Sequence, residues 1–79
     1  MAWGMKIDGS VNGLAARHLS NALGRSVDVI AASLPVPDPA GIYAKTQTVM
    51  TSFGAVTIGW RGGRYDVLAN GAVVGHGPV

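Results

Sequence analysis

The sequence predicts an α+β fold, in which one amphipathic helix packs on an antiparallel sheet of about four to five strands. Three observations support this prediction. One segment repeats apolar residues at helical spacing, several later segments are rich in β-branched residues, and two glycine-containing dipeptides each separate a pair of these segments. The order is strand, helix, strand and then a meander of hairpins, which is the order of a helix lying across one face of an antiparallel sheet.

The composition predicts one small domain spanning residues 1–79, because a chain of this length builds a single core. Charged residues make up only 13% of the chain, whereas hydrophobic residues make up 48%. This balance favours self-association or docking on a partner. The alternative is that many alanines raise the hydrophobic percentage, and 12 glycines accompany them, without either residue creating adhesive surface.

The first predicted elements are a strand and the helix. Residues 3–7 are compatible with a short strand that ends at Asp8-Gly9, after which Ser10 or Asn12 can cap a helix of about 13 residues. Gly24 suits the left-handed position after the last turn. The apolar face of the helix is predicted to comprise Val11, Leu14, Ala15, His18, Leu19, Ala22 and Leu23.

The middle of the chain predicts two strands and a stiff connector between them. Residues 26–33 and 46–52 have the β-branched character of strands. The connector, residues 34–40, contains three prolines, which impose an extended backbone. A loop at Phe53-Gly54 holds either two or three residues. The choice decides which sheet face Val49 and Met50 occupy, and the sequence leaves it open.

Two tight hairpins are predicted at the C-terminal end. Gly62-Gly63 and Asn70-Gly71 are dipeptides typical of two-residue turns with positive φ. With both loops at two residues, Trp60 lies opposite Tyr65, and Tyr65 lies opposite His76. This register predicts a row of three rings on one sheet face. The other face is predicted to carry Leu68 and Val73, with Arg61, Arg64 and Asp66 near the hairpin tip.

Each of these groups has a structural and a functional interpretation. The ring row can be ordinary cross-strand pairing or a stacking platform for a base. The Arg61 and Arg64 pair can be a solvated tip or an anion site. Leu68 and Val73 are candidate partner contacts, since one helix covers only one sheet face.

The chemistry-bearing motifs of enzymes and metal sites are missing from the sequence. It has no cysteine, no short-spaced carboxylate pair, no nucleophile-elbow serine and no His-x3-His spacing. We therefore expect no enzyme activity, no cofactor and no metal. No signal peptide or transmembrane run is visible, so we expect no membrane partner and a cytoplasmic location, or one inside a particle assembled in the cytoplasm.

The preferred functional hypothesis is a non-enzymatic interaction or assembly protein that binds copies of itself or a larger protein, as an accessory protein of a viral particle does. One alternative is nucleic-acid binding through the Arg61–Arg64 hairpin with Trp60 and Tyr65. A second alternative is a small phage-type inhibitor of a larger host complex.

Overall fold

The structure, a computed structural model, describes residues 11–79. It has one helix on an antiparallel sheet, which confirms the α+β prediction. The strand expected at residues 3–7 lies outside the described residues. The elements are helix α1 (Val11–Leu23) and strands β1 (Val29–Ala32), β2 (Val36–Pro37), β3 (Lys45–Thr51), β4 (Gly54–Arg61), β5 (Arg64–Ala69) and β6 (Ala72–Pro78). Within the described part, the sheet has the order β1-β3-β4-β5-β6, and β2 also pairs with β3.

Helix α1 has the predicted length and apolar face. Ala15 and Leu19 are fully buried, whereas Leu14 at one margin is 44% exposed. The amide of Gly24 donates to the Ser20 carbonyl at 2.9 Å, and Gly24 has the predicted positive φ, +69°. The core between the helix and the sheet comprises Ala15, Leu19, Val27, Val49, Ile58, Tyr65 and Val67.

The middle strands are shorter or shifted relative to the prediction. The first covers only Val29–Ala32, because the amide of Val27 instead bonds the Ser20 hydroxyl at 3.2 Å. The proline-rich connector contains β2, in which Val36 pairs with Thr46. Residues 36–37 are extended, as predicted, and lie along the sheet edge, where a proline is tolerated. Pro39 and Ala40 form a turn instead, because the Asp38 carboxylate accepts the Ala40 amide, so the extended connector ends earlier than predicted.

The β3–β4 hairpin resolves the register that the sequence left open. Thr51 pairs with Gly54, so the loop consists of Ser52 and Phe53, one residue earlier than expected. The Thr51 hydroxyl fixes this turn, because it accepts the Phe53 amide at 3.1 Å and donates to the Gly54 carbonyl at 2.8 Å. Consequently Val49 faces the helix and is fully buried.

Both C-terminal turns have the predicted conformation. The φ values of Gly62 and Gly63 are +59° and +79°, and those of Asn70 and Gly71 are +53° and +79°. The first hairpin pairs Trp60 with Tyr65, as predicted, and also Ile58 with Val67 and Arg61 with Arg64. In the second, Leu68 pairs with Val73, which places both on one face as predicted, and Ala69 pairs with Ala72.

The predicted pairing of Tyr65 with His76 is wrong. The register shifts between Val67 and Leu68, so Tyr65 faces Gly77 and His76 faces Asp66. The physical reason is the closeness of the helix to β6. A Cβ atom at Gly75 would lie 2.7 Å from the carbonyl oxygen of Ala22. The irregularity puts glycines 75 and 77 on the helix side, where the regular register would have put Val74 and His76.

Candidate interaction face

The reverse face is the sheet surface opposite α1, and its centre is a row of side chains that crosses four strands. Thr48 pairs with Thr57, Thr57 with Leu68, and Leu68 with Val73. These four residues form the central row, which carries no charge. The sequence predicted that Leu68 and Val73 share this face.

The central row remains open to solvent within the described part of the chain. Val73 is 53% exposed, and Met50, on the same face, is 44% exposed. Leu68 is half-buried. A shallow cleft of about 320 Å³ runs across the row between Ile42 on one side and Asn70 on the other. The centre of the reverse face is therefore an uncharged surface with exposed apolar side chains that the helix does not cover.

A second row lies beside the first and holds a tyrosine against the sheet. Thr46 pairs with Gly59, Gly59 with Asp66, and Asp66 with His76. The ring of Tyr43 fills the space over Gly59, where a Cβ atom would lie 2.6 Å from the tyrosine Cγ. Its hydroxyl donates to Asp66 Oδ2 at 2.9 Å. Burial, followed by this hydrogen bond, raises the pKa of Tyr43.

Tyr43 reaches this position because a turn at Asp38 folds the preceding loop over the sheet. The Asp38 carboxylate accepts the amides of Ala40 at 3.1 Å, Ile42 at 3.0 Å and Tyr43 at 2.9 Å. Hydrogen bonding, most strongly from the Tyr43 amide, lowers the pKa of Asp38. This aspartate therefore organises the loop as an anion.

Two arginines face one another at the end of the reverse face. Arg61 pairs directly with Arg64, and both are exposed. The guanidinium carbon of Arg61 lies 5.6 Å from the centroid of the Tyr43 ring, and Arg64 Nη2 lies 3.2 Å from His76 Nδ1. A polar cavity of about 240 Å³ is lined by Tyr43, Gly59, Arg61, Arg64 and Asp66.

The expected three-ring platform does not form. Tyr65 is 1% exposed, and its hydroxyl donates to the His18 carbonyl at 3.0 Å, beneath the helix. Trp60 is half-buried. Its ring centroid lies 5.8 Å from that of His18 in an edge-to-face arrangement, and Lys45 Nζ lies 5.2 Å from the Trp60 ring centroid. His76 lies on the reverse face. Tyr65 therefore belongs to the core, and Trp60 packs at the margin of the core.

The structure thus separates the predicted site residues into three groups. Leu68 and Val73 meet on the reverse face. Arg61, Arg64 and His76 come together at its end, whereas Trp60 and Tyr65 lie on the helix side. Sequence reasoning missed Asp38 and Tyr43. Two signals mark them: Asp38-Pro39-Ala40-Gly41 has the residues of a tight turn, and a glycine inside a strand, here Gly59, indicates a close approach.

The part of the chain that the structure describes shows neither a metal site nor a membrane-spanning helix. Among residues 11–79, no three His, Cys, Asp or Glu side chains are grouped so that they could hold a metal ion. The same part of the chain has no helix with the length and apolar character needed to cross a bilayer. Comparison of the chain with protein-family models, curated proteins and solved structures gave no match.

Proposed function

We propose that the protein is a non-enzymatic interaction protein that associates with a second copy of itself through the reverse face. The observation that supports this most directly is the central row: Thr48, Thr57, Leu68 and Val73 form an uncharged strip across four strands, and Val73 is 53% exposed. Burying such a strip removes apolar surface from water, which favours association.

The charge distribution favours a second copy as the occupant. In a two-fold dimer, the same patch meets itself, so a charge near the axis would meet an identical charge. The central row contains none. The arginines lie at one end of the face, and an antiparallel arrangement places them opposite the uncharged Asn70 end of the partner.

The area of the reverse face indicates how tightly two copies should bind each other. Five strands spaced about 4.8 Å apart and about six residues long span roughly 20 Å in each direction. Two such faces bury on the order of 1,000 Å² in total, which is at the small end of specific interfaces. We therefore expect a reversible dimer with micromolar affinity.

Another exposed apolar surface follows the β1–β2 edge, where Ile30 is 64%, Leu34 67% and Val36 54% exposed. The reverse face is the stronger candidate because its uncharged row is continuous across four paired strands, as sheet-on-sheet packing requires.

Two adjacent valines provide a matched test. Val73 lies on the reverse face, whereas Val74 lines a groove on the helix side with Leu19 and Leu23. Their exposed fractions are nearly equal, 53% and 50%. In sedimentation velocity over a concentration series, we expect Val73→Lys to weaken dimerisation about tenfold or more, because a buried lysine without a partner is unfavourable.

The Val74→Lys variant is the control and should dimerise like the unmodified protein. Equal weakening by both substitutions would contradict the proposed interface. A monomer throughout the series would remove self-association and leave a larger protein as the remaining partner for this face.

A further inference from the structure

We propose that Arg61 and Arg64 form a binding site for a phosphate group at the end of the reverse face. This inference goes beyond the proposed association, because it concerns a different row of the sheet and a charged ligand. The site is the cavity of about 240 Å³ between the two arginines, Tyr43 and Asp66.

Two cations pair directly across the hairpin. Arg61 and Arg64 are cross-strand partners on either side of a two-residue turn. Their Cβ atoms are then about 5 Å apart, and like charges at such positions are unfavourable. Asp66 lines the same cavity and offsets part of this repulsion, but its Oδ2 is already bonded to the Tyr43 hydroxyl. A bound dianion would offset the remainder.

One carboxylate, that of Asp66, shares this end of the face with the arginines. Asp66 is two residues from Arg64 along β5, yet its Oδ2 accepts the Tyr43 hydroxyl at 2.9 Å. The close packing of the Tyr43 ring over Gly59 fixes this arrangement. Asp66 contributes a negative charge that opposes anion binding, and the hydroxyl proton of Tyr43 partly compensates that charge.

Both guanidinium groups are positioned by neighbours that leave some of their N–H donors available. Arg61 lies against the Tyr43 ring at 5.6 Å, and Arg64 Nη2 bonds His76 Nδ1 at 3.2 Å. Because a guanidinium only donates, His76 Nδ1 is the acceptor in this bond. Each arginine keeps further N–H groups, and the planar fork of these groups matches the oxygens of phosphate.

The experiment is an NMR titration that follows the Nε–Hε signals of the arginines. Sodium phosphate is the probe, and sodium chloride at equal ionic strength is the reference. We expect saturable shifts of the Arg61 and Arg64 signals with phosphate. Arg61→Gln and Arg64→Gln should each weaken binding about tenfold, since each removes charge-assisted hydrogen bonds. Arg64→Lys keeps the charge without the fork and should weaken it severalfold.

Arg25→Gln is the matched control. Arg25 is also exposed, but it lies 4.4 Å from the Phe53 ring, at the other end of the sheet. This variant should bind phosphate like the unmodified protein. Equal shifts with chloride, or an equal loss in Arg25→Gln, would overturn the proposal and show only general attraction by a basic protein.

Two further arms identify the source of the phosphate and separate the two proposals. An oligothymidylate that binds more tightly than free phosphate, and that requires Arg61 and Arg64, assigns a nucleic-acid backbone as the source. Equal binding assigns the free oxyanion. The Val73→Lys variant should keep phosphate binding even if it no longer dimerises, so failure of the dimer and failure of the phosphate site give different results.

Discussion

The Tyr43 hydroxyl donates a hydrogen bond to Asp66 Oδ2 at 2.9 Å, joining the loop before β3 to the middle of β5, 23 residues away. The ring of Tyr43 packs over Gly59, the cross-strand partner of Asp66 on β4. This contact closes one side of the reverse face and separates its central row from the arginine pair. The geometry of both proposed surfaces therefore depends on it.

Removing this hydrogen bond should produce a small, measurable loss of stability. We expect Tyr43→Phe to lower the free energy of unfolding by about 1 kcal/mol, the usual net value of one hydrogen bond. The Asp66→Asn variant changes the acceptor of the same hydrogen bond. In urea unfolding, the double variant should lose less than the sum of the two single variants, because both remove the same bond. Strict additivity would mean that the bond contributes nothing.

Placing a methyl group under Tyr43 should be more damaging. Since the new Cβ would lie 2.6 Å from the tyrosine Cγ, Gly59→Ala must displace the ring. We expect a loss of about 1–3 kcal/mol in the free energy of unfolding, as for other overpacked positions.

The same substitution in a Tyr43→Ala background is the control. Without the ring, the three atoms nearest to the new methyl group are gone, and alanine is favoured over glycine in a strand. There Gly59→Ala should be neutral or stabilising. If it remains as damaging as in the unmodified protein, the contact with Tyr43 is not the cause.

Stability should fall in mild acid because of His18. Burial, and secondarily the charge of Arg17, lowers the pKa of His18. Below about pH 6.5 the unfolded chain therefore binds a proton that the folded chain takes up less readily. The free energy of unfolding is fully retained above that pH and decreases as the pH falls through the lower, folded-state pKa.

Urea unfolding from about pH 8 to about pH 5 measures this effect, with His18→Gln as the comparison. The decline should be shallower in the variant. The backbone carbonyl at position 18, which accepts the Tyr65 hydroxyl, is present in both proteins. Identical slopes would show that His18 is not responsible.

Local chemistry explains what could be predicted from the sequence. Gly62-Gly63 and Asn70-Gly71 require positive φ, and such turns determine the adjoining strand register. The apolar spacing of α1 likewise defines its buried face. These signals lie within a few residues, and therefore the helix, both hairpins and the shared face of Leu68 and Val73 followed from them.

The missed features depend on contacts between distant segments. The register shift in β6 arises where Ala22 of the helix approaches Gly75, a contact that no local pattern encodes. It moved His76 from the predicted ring row to the side of Arg64. Tyr43 was missed for a related reason, because its partners, Gly59 and Asp66, lie on two other strands.

Contacts between copies on the reverse face are the decisive evidence for the proposed dimer. An isotope-filtered NOE experiment on an equal mixture of labelled and unlabelled protein detects only contacts between copies. We expect intermolecular NOEs from the methyl groups of Met50, Leu68 and Val73. NOEs confined to Val74 or Ile30, or no intermolecular NOE at millimolar concentration, would contradict this dimer.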